Sequence, residues 1–446
     1  MVSHQRASCA LLKLVLKLAC DLLNKLYPNT YQVEAETEMN TAKTLDKPKQ
    51  RKLLWSAGMS WMFDAMDIGI ISFIAAALAA EWSLTPQQTG LFTSINSIGM
   101  AVGALLAGAL ADKYGRKSVL LWTLVIFSIA SGLSAAATSF TMLCILRFIA
   151  GAGLGGELPV ASTLVSESVP AKERGRAVVL LESFWAAGWI ASALIAYFVI
   201  PTYGWQAAFL ICAVPALYAL YLRKAIQDPP RFTQQAKQSE QQKLSFRERF
   251  VAVWSGPHRR STIMLWVLWF TVVFSYYGMF LWLPSVMMLK GFSLVKSFEY
   301  VLIMTLAQLP GYFTAAYLIE KFGRKFVLVL YLLLTAASAA WFGSATTEGM
   351  LIAAGICLSF FNLGAWGGMY AYTPELYPTK VRSTGVGLAA SFGRVGGIIA
   401  PYLVGMLVAR QVAISAIFWL FFVTIVIGAV AVLWLGTETK GKELEE

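Results

Sequence analysis

Twelve apolar runs of membrane-spanning length organise this chain, at approximately 54–80, 88–111, 118–137, 141–166, 177–200, 205–222, 262–288, 298–319, 327–345, 349–373, 385–409 and 413–436. An α-helix rises about 1.5 Å per residue, so about 20 residues cross a hydrocarbon core roughly 30 Å thick. Lipid offers backbone groups no partner, which makes each such run a helix closing its own hydrogen bonds. Composition agrees: 58% of residues are apolar and only 13% charged, against roughly a quarter charged in soluble domains. A soluble globular domain, a disordered chain and a disulfide-stapled secreted module are thereby excluded. The net charge of +12 resides in short loops between runs and reports topology, so nucleic acid is not an expected partner. Five dispersed cysteines, and two histidines (His4 and His258) outside the runs, give no metal spacing.

Lysine and arginine distribution sets the orientation. Entering the first span from the cytoplasm places 27 of them on the inner side and 3 (Lys290, Lys296, Arg410) on the outer. That bias puts both termini in the cytoplasm. Residues 1–52 form an N-terminal tail, in which the stretch from Ala10 to Leu26 fits a helix lying on the membrane surface. Equally, the tail is dispensable and Met39 is the true start.

The loop Asp112-Lys113-Tyr114-Gly115-Arg116-Lys117 recurs as Glu320-Lys321-Phe322-Gly323-Arg324-Lys325, displaced by 208 residues. The same displacement carries Glu167 to Glu375 and Arg174 to Arg382. The expected fold is an all-α membrane protein of 12 helices in two six-helix halves, 53–222 and 262–436, related by a pseudo-twofold axis. A cytoplasmic linker, 223–261, joins them and a short tail, 437–446, follows.

Here the chain resembles a known family. Gly108-x-x-x-Asp112-x-x-Gly115-Arg116-Lys117 is similar to the signature loop of major facilitator superfamily transporters. Arg147 to Glu157, Asp228-Pro229-Pro230-Arg231-Phe232, Pro374-Glu375-Leu-Tyr-Pro378 and Glu438-Thr439-Lys440-Gly441-Lys442 resemble its sugar-porter and organic-ion branch. By Trp61-Met-Phe-Asp64-Ala-Met-Asp67, Glu182-Ser-Phe-Trp185 and the stretch from Phe274 to Pro284, the chain looks most like the bacterial niacin transporter family, with aromatic-acid:proton symporters a step further away.

Charges inside the spans carry the functional reading, because a lone charge at the bilayer centre is costly. Asp64 and Asp67 share a face of the first helix, and Arg147 on the fourth reaches the depth of Asp67. One reading is a structural salt bridge. The favoured one is proton coupling, since two carboxylates beside one arginine compete for its charge; the resemblance implies the same, an Asp-x-x-Asp here being associated with proton-coupled uptake. Arg394, deep in the eleventh helix, has no acid in the spans of its own half away from their ends, and its planar fork suits a carboxylate. Tyr276, Tyr277 and Phe280 on the seventh helix, with Asn362, Trp366 and Tyr370 on the tenth, form a candidate platform for a flat ring, although such stripes are often plain packing. Glu157 and Glu182 fall near the cytoplasmic ends of helices 4 and 5, where an inward vestibule hydrates them; Glu182 is a secondary binding or coupling candidate. The duplicated loop charges Asp112, Arg116, Glu167 and Arg174, with Glu320, Arg324, Glu375 and Arg382, fit a cytoplasmic gate, which the resemblance makes an ion-pair network.

The expected function is secondary active import of nicotinate across the cell membrane, driven by protons, by a monomer without cofactors. Alternatives are another small aromatic anion of the benzoate type, a nicotinamide carrier, or a sensor that binds without turnover. No nucleotide loop, metal spacing or nucleophile–base set supports an enzyme.

Overall fold

A computed structural model describes residues 47–114, 116–155, 174–215, 217–218, 246–378 and 381–440; within these, the side chains at 49, 105, 107–109, 111–114, 116–118, 120, 174–179, 246–247, 249, 257 and 383 are not described. The tail up to residue 46, most of the linker, Glu157 and Glu167 lie outside the described residues, as do the side chains of Asp112, Arg116 and Arg174.

The first half contains α1 (Lys47–Glu81), α2 (Pro86–Tyr114), α3 (Arg116–Ser134), α4 (Phe140–Gly155), α5 (Arg174–Phe198) and α6 (Ile200–Ile211). The second contains α8 (Gly256–Phe280), α9 (Leu283–Leu289), α10 (Leu294–Leu306), α11 (Gln308–Phe322), α12 (Arg324–Ser344), α13 (Glu348–Glu375), α14 (Arg382–Ala409) and α15 (Ile414–Leu435). Between them lies α7 (Phe246–Trp254), inside the stretch taken from sequence as linker. Its Val253 is fully buried and the Val253 carbonyl accepts the Thr262 hydroxyl at 2.7 Å, so its apolar side is packed down. The repeat is reproduced in the helix starts: 86, 116, 140 and 174 recur at 294, 324, 348 and 382, each displaced by 208. Equivalent pairs pack together as well, α1 on α5 as α8 on α14, and α2 on α4 as α11 on α13. This is the twelve-helix, two-half architecture.

Prolines and glycines explain where helices depart from the sequence spans. The run at 262–288 is two helices, because Pro284 at the start of α9 cannot donate into the preceding turn. The run at 298–319 divides at Ala307, one turn before Pro310, whose ring collides with the carbonyl four residues back. At Gly204 (φ 78) the chain turns left-handed, and the helix proper begins at Trp205, where the sixth run was placed. Glycine also sets the closest helix crossing: a Cβ on Gly103 would meet the Ala152 carbonyl oxygen at 1.9 Å, and one on Gly155 that of Met100 at 1.9 Å, so α2 and α4 touch backbone to backbone.

Large apolar side chains such as Leu106, Trp122, Ile129, Leu333, Ile427 and Trp434 point outward, as a lipid-facing surface requires. Eight described helices are long and apolar enough to cross a membrane, and Leu121–Ser134 and Phe140–Gly155 are shorter apolar ones. At the bundle end with few charged residues, α2 of one half meets α14 of the other. There a Cβ on Gly405 would lie 2.5 Å from the Pro86 oxygen, and one on Gly90 2.9 Å from that of Pro401. The halves are in backbone contact at that end, and what they enclose lies below it.

Candidate functional site

The first half holds a closed charge cluster. Arg147 and Asp67 are both fully buried, 3.2 Å apart. The Arg147 guanidinium also donates to the Ser131 hydroxyl (2.9 Å) and the Ser134 hydroxyl (3.0 Å), while Ser131 donates to Asp67. Phe209 of α6 covers the cation, its ring centre 4.5 Å away. The pair expected from helix depth is therefore present, wrapped by hydroxyls and an aromatic face. Asp64, one turn before Asp67, is equally buried.

A second group of side chains lies where α1 and α5 of one half meet α8, α13 and α14 of the other. Trp185 of α5 donates its indole N–H to the Tyr276 hydroxyl at 2.7 Å and stacks on Trp366 of α13, ring centres 6.2 Å apart and 14° from parallel. Tyr276 packs on Phe280 (4.8 Å) and Trp366 (4.9 Å), and Trp366 stacks on Tyr370 (5.9 Å). The six second-half candidates named from sequence are thus brought together in part: Tyr276, Phe280, Trp366 and Tyr370 form one aromatic wall. Tyr277 and Asn362 add polar atoms, and the Asn362 side-chain oxygen is buried without a partner among the described residues.

Arg394 enters this wall from α14. One of its terminal nitrogens donates to the Tyr277 hydroxyl (3.3 Å) and touches the Met100 sulfur of α2 (3.9 Å). A guanidinium has five N–H donors in a fixed fork, so most of this one is uncommitted among the described residues. Glu182 corrects the sequence reading. Read as sitting near the end of its span and hydrated, its side chain is completely buried. No hydrogen bond of ordinary geometry reaches either carboxyl oxygen from the described residues, although the indole N–H groups of Trp61 and Trp366, themselves without another such partner, approach it. Arg394 lies within electrostatic reach of the same carboxyl. The first half thus brings a buried acid near Arg394 without pairing with it.

At the charge-rich end, Arg324 binds Glu320 at 3.0 Å and Glu375 at 3.2 Å, with Thr439 donating to Glu375 at 2.5 Å. Arg382 donates to the Tyr377 carbonyl at 3.0 Å. Beyond α15, Glu438 accepts the backbone N–H groups of Arg324 (2.9 Å) and Lys325 (3.1 Å), capping α12. Burial pushes the Glu438 carboxyl up, but this cap and the backbone N–H groups of Lys440 and Thr439 overcome it and hold it below the ordinary glutamate range. Gly323 must be glycine here: its φ is 100, and a Cβ would meet the Glu438 carboxylate at 2.5 Å. The partners shown for Arg324 all belong to the second half.

With this geometry in place, comparison with known proteins decides the family. The chain matches the Major Facilitator Superfamily over residues 57–311 and 300–446. The chain belongs to the major facilitator superfamily. It is therefore an integral membrane transporter that takes a small-molecule substrate, and it is not an enzyme. This superfamily member is 59% identical over 396 residues, covering 89% of it and 98% of the relative, to a protein of Bacillus subtilis named putative niacin/nicotinamide transporter NiaP. It is 46% identical over 421 residues, 88% of it and 95% of the relative, to the niacin transporter NiaP of Acinetobacter baylyi. Among solved structures, the crystal structure of a D-xylose-proton symporter superposes with a TM-score of 0.72 at 20% identity, covering 88% of this chain and 99% of that one, which establishes the shared fold.

Several site residues of this transporter escaped the sequence reading. Trp61 and Trp185 signal themselves only by spacing, each one turn from an acid, Asp64 and Glu182. Buried Gln308 and Tyr312 of α11, a turn apart, carry side-chain polar atoms without partners among the described residues, yet look like ordinary span residues.

Proposed function

We propose that this superfamily member imports nicotinate across the cell membrane with protons, by alternating access, as a monomer with both termini in the cytoplasm. The carrying observation is Arg394: a guanidinium with most of its fork uncommitted, set in an aromatic wall at the contact of the two halves. A carboxylate matches that fork in a bidentate way, and a flat ring matches the wall. The names of the Bacillus subtilis and Acinetobacter baylyi relatives support niacin as the solute, and the cation favours its acid form over nicotinamide.

In this reading 53–222 and 262–436 rock as two bodies about Arg394, Tyr276, Tyr277, Phe280, Trp366 and Tyr370, with 223–261 as tether. Asn362 offers its unpartnered oxygen to the substrate. Asp67, with Asp64 and Arg147, carries the first half's part of coupling: neutralising Asp67 strips Arg147 of its counter-charge, which the packed half can accommodate only by rearranging. Asp112, Arg116, Glu167 and Arg174, with Glu320, Arg324, Glu375 and Arg382, close the cytoplasmic gate. The lysine and arginine bias makes the charge-poor end the outer one, so the backbone contact of α2 with α14 is a closed outer side.

Uptake of labelled nicotinate by proteoliposomes, with and without a pH gradient, tests this. The expected result is concentrative uptake driven by inward protons in the wild type. Asp67→Asn is expected to lose accumulation while retaining some exchange. Undiminished accumulation in both Asp64→Asn and Asp67→Asn would remove these two acids from the mechanism.

A further inference from the structure

We propose that Glu182 is a proton-binding site linked to the substrate: the incoming carboxylate replaces Glu182 as the counter-charge of Arg394, and Glu182 takes up a proton in the same binding step. This rests on the reading of Arg394 as the anion site.

The argument is charge balance in a closed space. Glu182 is fully buried, its carboxyl is approached by the indole N–H groups of Trp61 and Trp366 without a hydrogen bond of ordinary geometry, and the Arg394 charge acts on it across the contact of the halves without an ion pair. At alkaline pH, where Glu182 is ionised in the empty site, its carboxylate and the Arg394 guanidinium offset one another, and the exchange leaves buried Asp64 as it is. A monoanion entering alone would leave a net negative charge among tryptophan and tyrosine rings, out of water, which low dielectric strongly disfavours. One proton on Glu182 restores neutrality, with the substrate carboxylate on Arg394 and Glu182 as a neutral acid. The reverse holds on release. No bond beyond the O–H forms, and anion and proton enter together.

The elements packed on α5 carry the rival groups. From α1 come Trp61, which approaches Glu182; Asp64, whose charge acts on Tyr277; and Asp67, held by Arg147. α11 presents Tyr312, and α13 presents Trp366 and Tyr370. α10 carries Lys296 and Glu299 in its first turns, at the charge-poor end, and Tyr203 of α6 is exposed. Asp64 is accordingly the rival that a test must separate. The repeat places the two partners in equivalent helices, Glu182 eight residues into α5 and Arg394 twelve into α14, one turn apart in depth. The proton-linked exchange thus works on two charges carried by different halves.

Calorimetric binding of nicotinate to the purified full chain, in buffers of differing ionisation enthalpy from about pH 6 to about pH 9, reads proton uptake per anion. Free nicotinate keeps a fixed charge over that range. The wild type is expected to take up about one proton at the alkaline end, its affinity falling about tenfold per pH unit there. Glu182→Gln is expected to bind with no uptake and a flat pH profile. No uptake by the wild type, or unchanged uptake in Glu182→Gln, which would assign the proton to Asp64, overturns the proposal. If Glu182→Gln does not fold, Glu182→Asp substitutes: a shifted pH midpoint supports the proposal and an unshifted one overturns it. Arg394→Ala separates the two readings, because nicotinate binding unchanged in that variant defeats the anion site itself, whatever the proton count.

Discussion

Arg147 and Arg394 are both guanidiniums deep in the spans, yet their surroundings differ in kind. Arg147 has a carboxylate at 3.2 Å, two serine hydroxyls and an aromatic ring over its face, and no exposed surface. Arg394 is half-buried, donates to one phenol, and faces an acid it does not bond. The first has both terminal nitrogens engaged by its own half, with Nε alone buried and unpartnered among the described residues. The second is left with donors to spend on something that is not part of the chain. Residue type and depth are alike in the two places, so what separates a structural or coupling cation from a binding one is how many of its donors the fold has already used.

Stability should break the comparison most sharply. Arg147→Ala leaves the Asp67 carboxylate buried without its counter-charge, a loss of about 3–5 kcal/mol, and thermal unfolding in detergent should show a large drop. Arg394→Ala should lower the melting temperature far less, because Glu182 answers the lost charge by taking up a proton. Equal drops in both would erase the distinction.

Arg324 lies between these extremes, pairing with an exposed glutamate and a half-buried one at the charge-rich end. Such pairs contribute less than about 1 kcal/mol to stability. Arg324→Ala should therefore fold and bind nicotinate normally while turning over slowly, as should Arg116→Ala, its repeat equivalent. Normal transport by both would leave these charges as topology signals.

The smallest effect belongs to Glu438. Its folded carboxyl titrates below the unfolded one, so the cap it makes on α12 is fully formed above the ordinary glutamate range and is lost as pH falls through the depressed value. Protection of the Arg324 and Lys325 amides, taken relative to intrinsic exchange at each pH, should fall only in that acid window. In Glu438→Gln the protection should be lower and flat with pH.

Much of this was legible in the sequence because apolar length, charge bias and an unbroken repeat each act over many residues. Four helix starts in each half obey the 208-residue displacement to the residue. Arg394, Asp67 and Arg147 stood out because charge within an apolar run needs a reason. Glu182 was undervalued because depth was counted along one helix: α5 begins at Arg174, three residues before the apolar run, and the helices crossing over Glu182 bury it. Trp61, Trp185 and Tyr312 are ordinary residues for a span. Only packing between the halves shows that they share a site. The helix α7 was missed because the linker's charge conceals an apolar side one helical turn wide.

The central claim is that the donors Arg394 keeps free are for a carboxylate. Binding of nicotinate and of nicotinamide to wild type, Arg394→Ala and Arg394→Lys measures this directly, since the two ligands share the ring and differ in that group. The account predicts at least a tenfold loss of nicotinate affinity in Arg394→Ala, about 1.5–3 kcal/mol, and poor rescue by lysine, which keeps the charge without the fork. Nicotinamide should bind the wild type weakly and change little. Equal losses for both ligands would contradict the account, showing that Arg394 shapes the cavity and does not hold the anion.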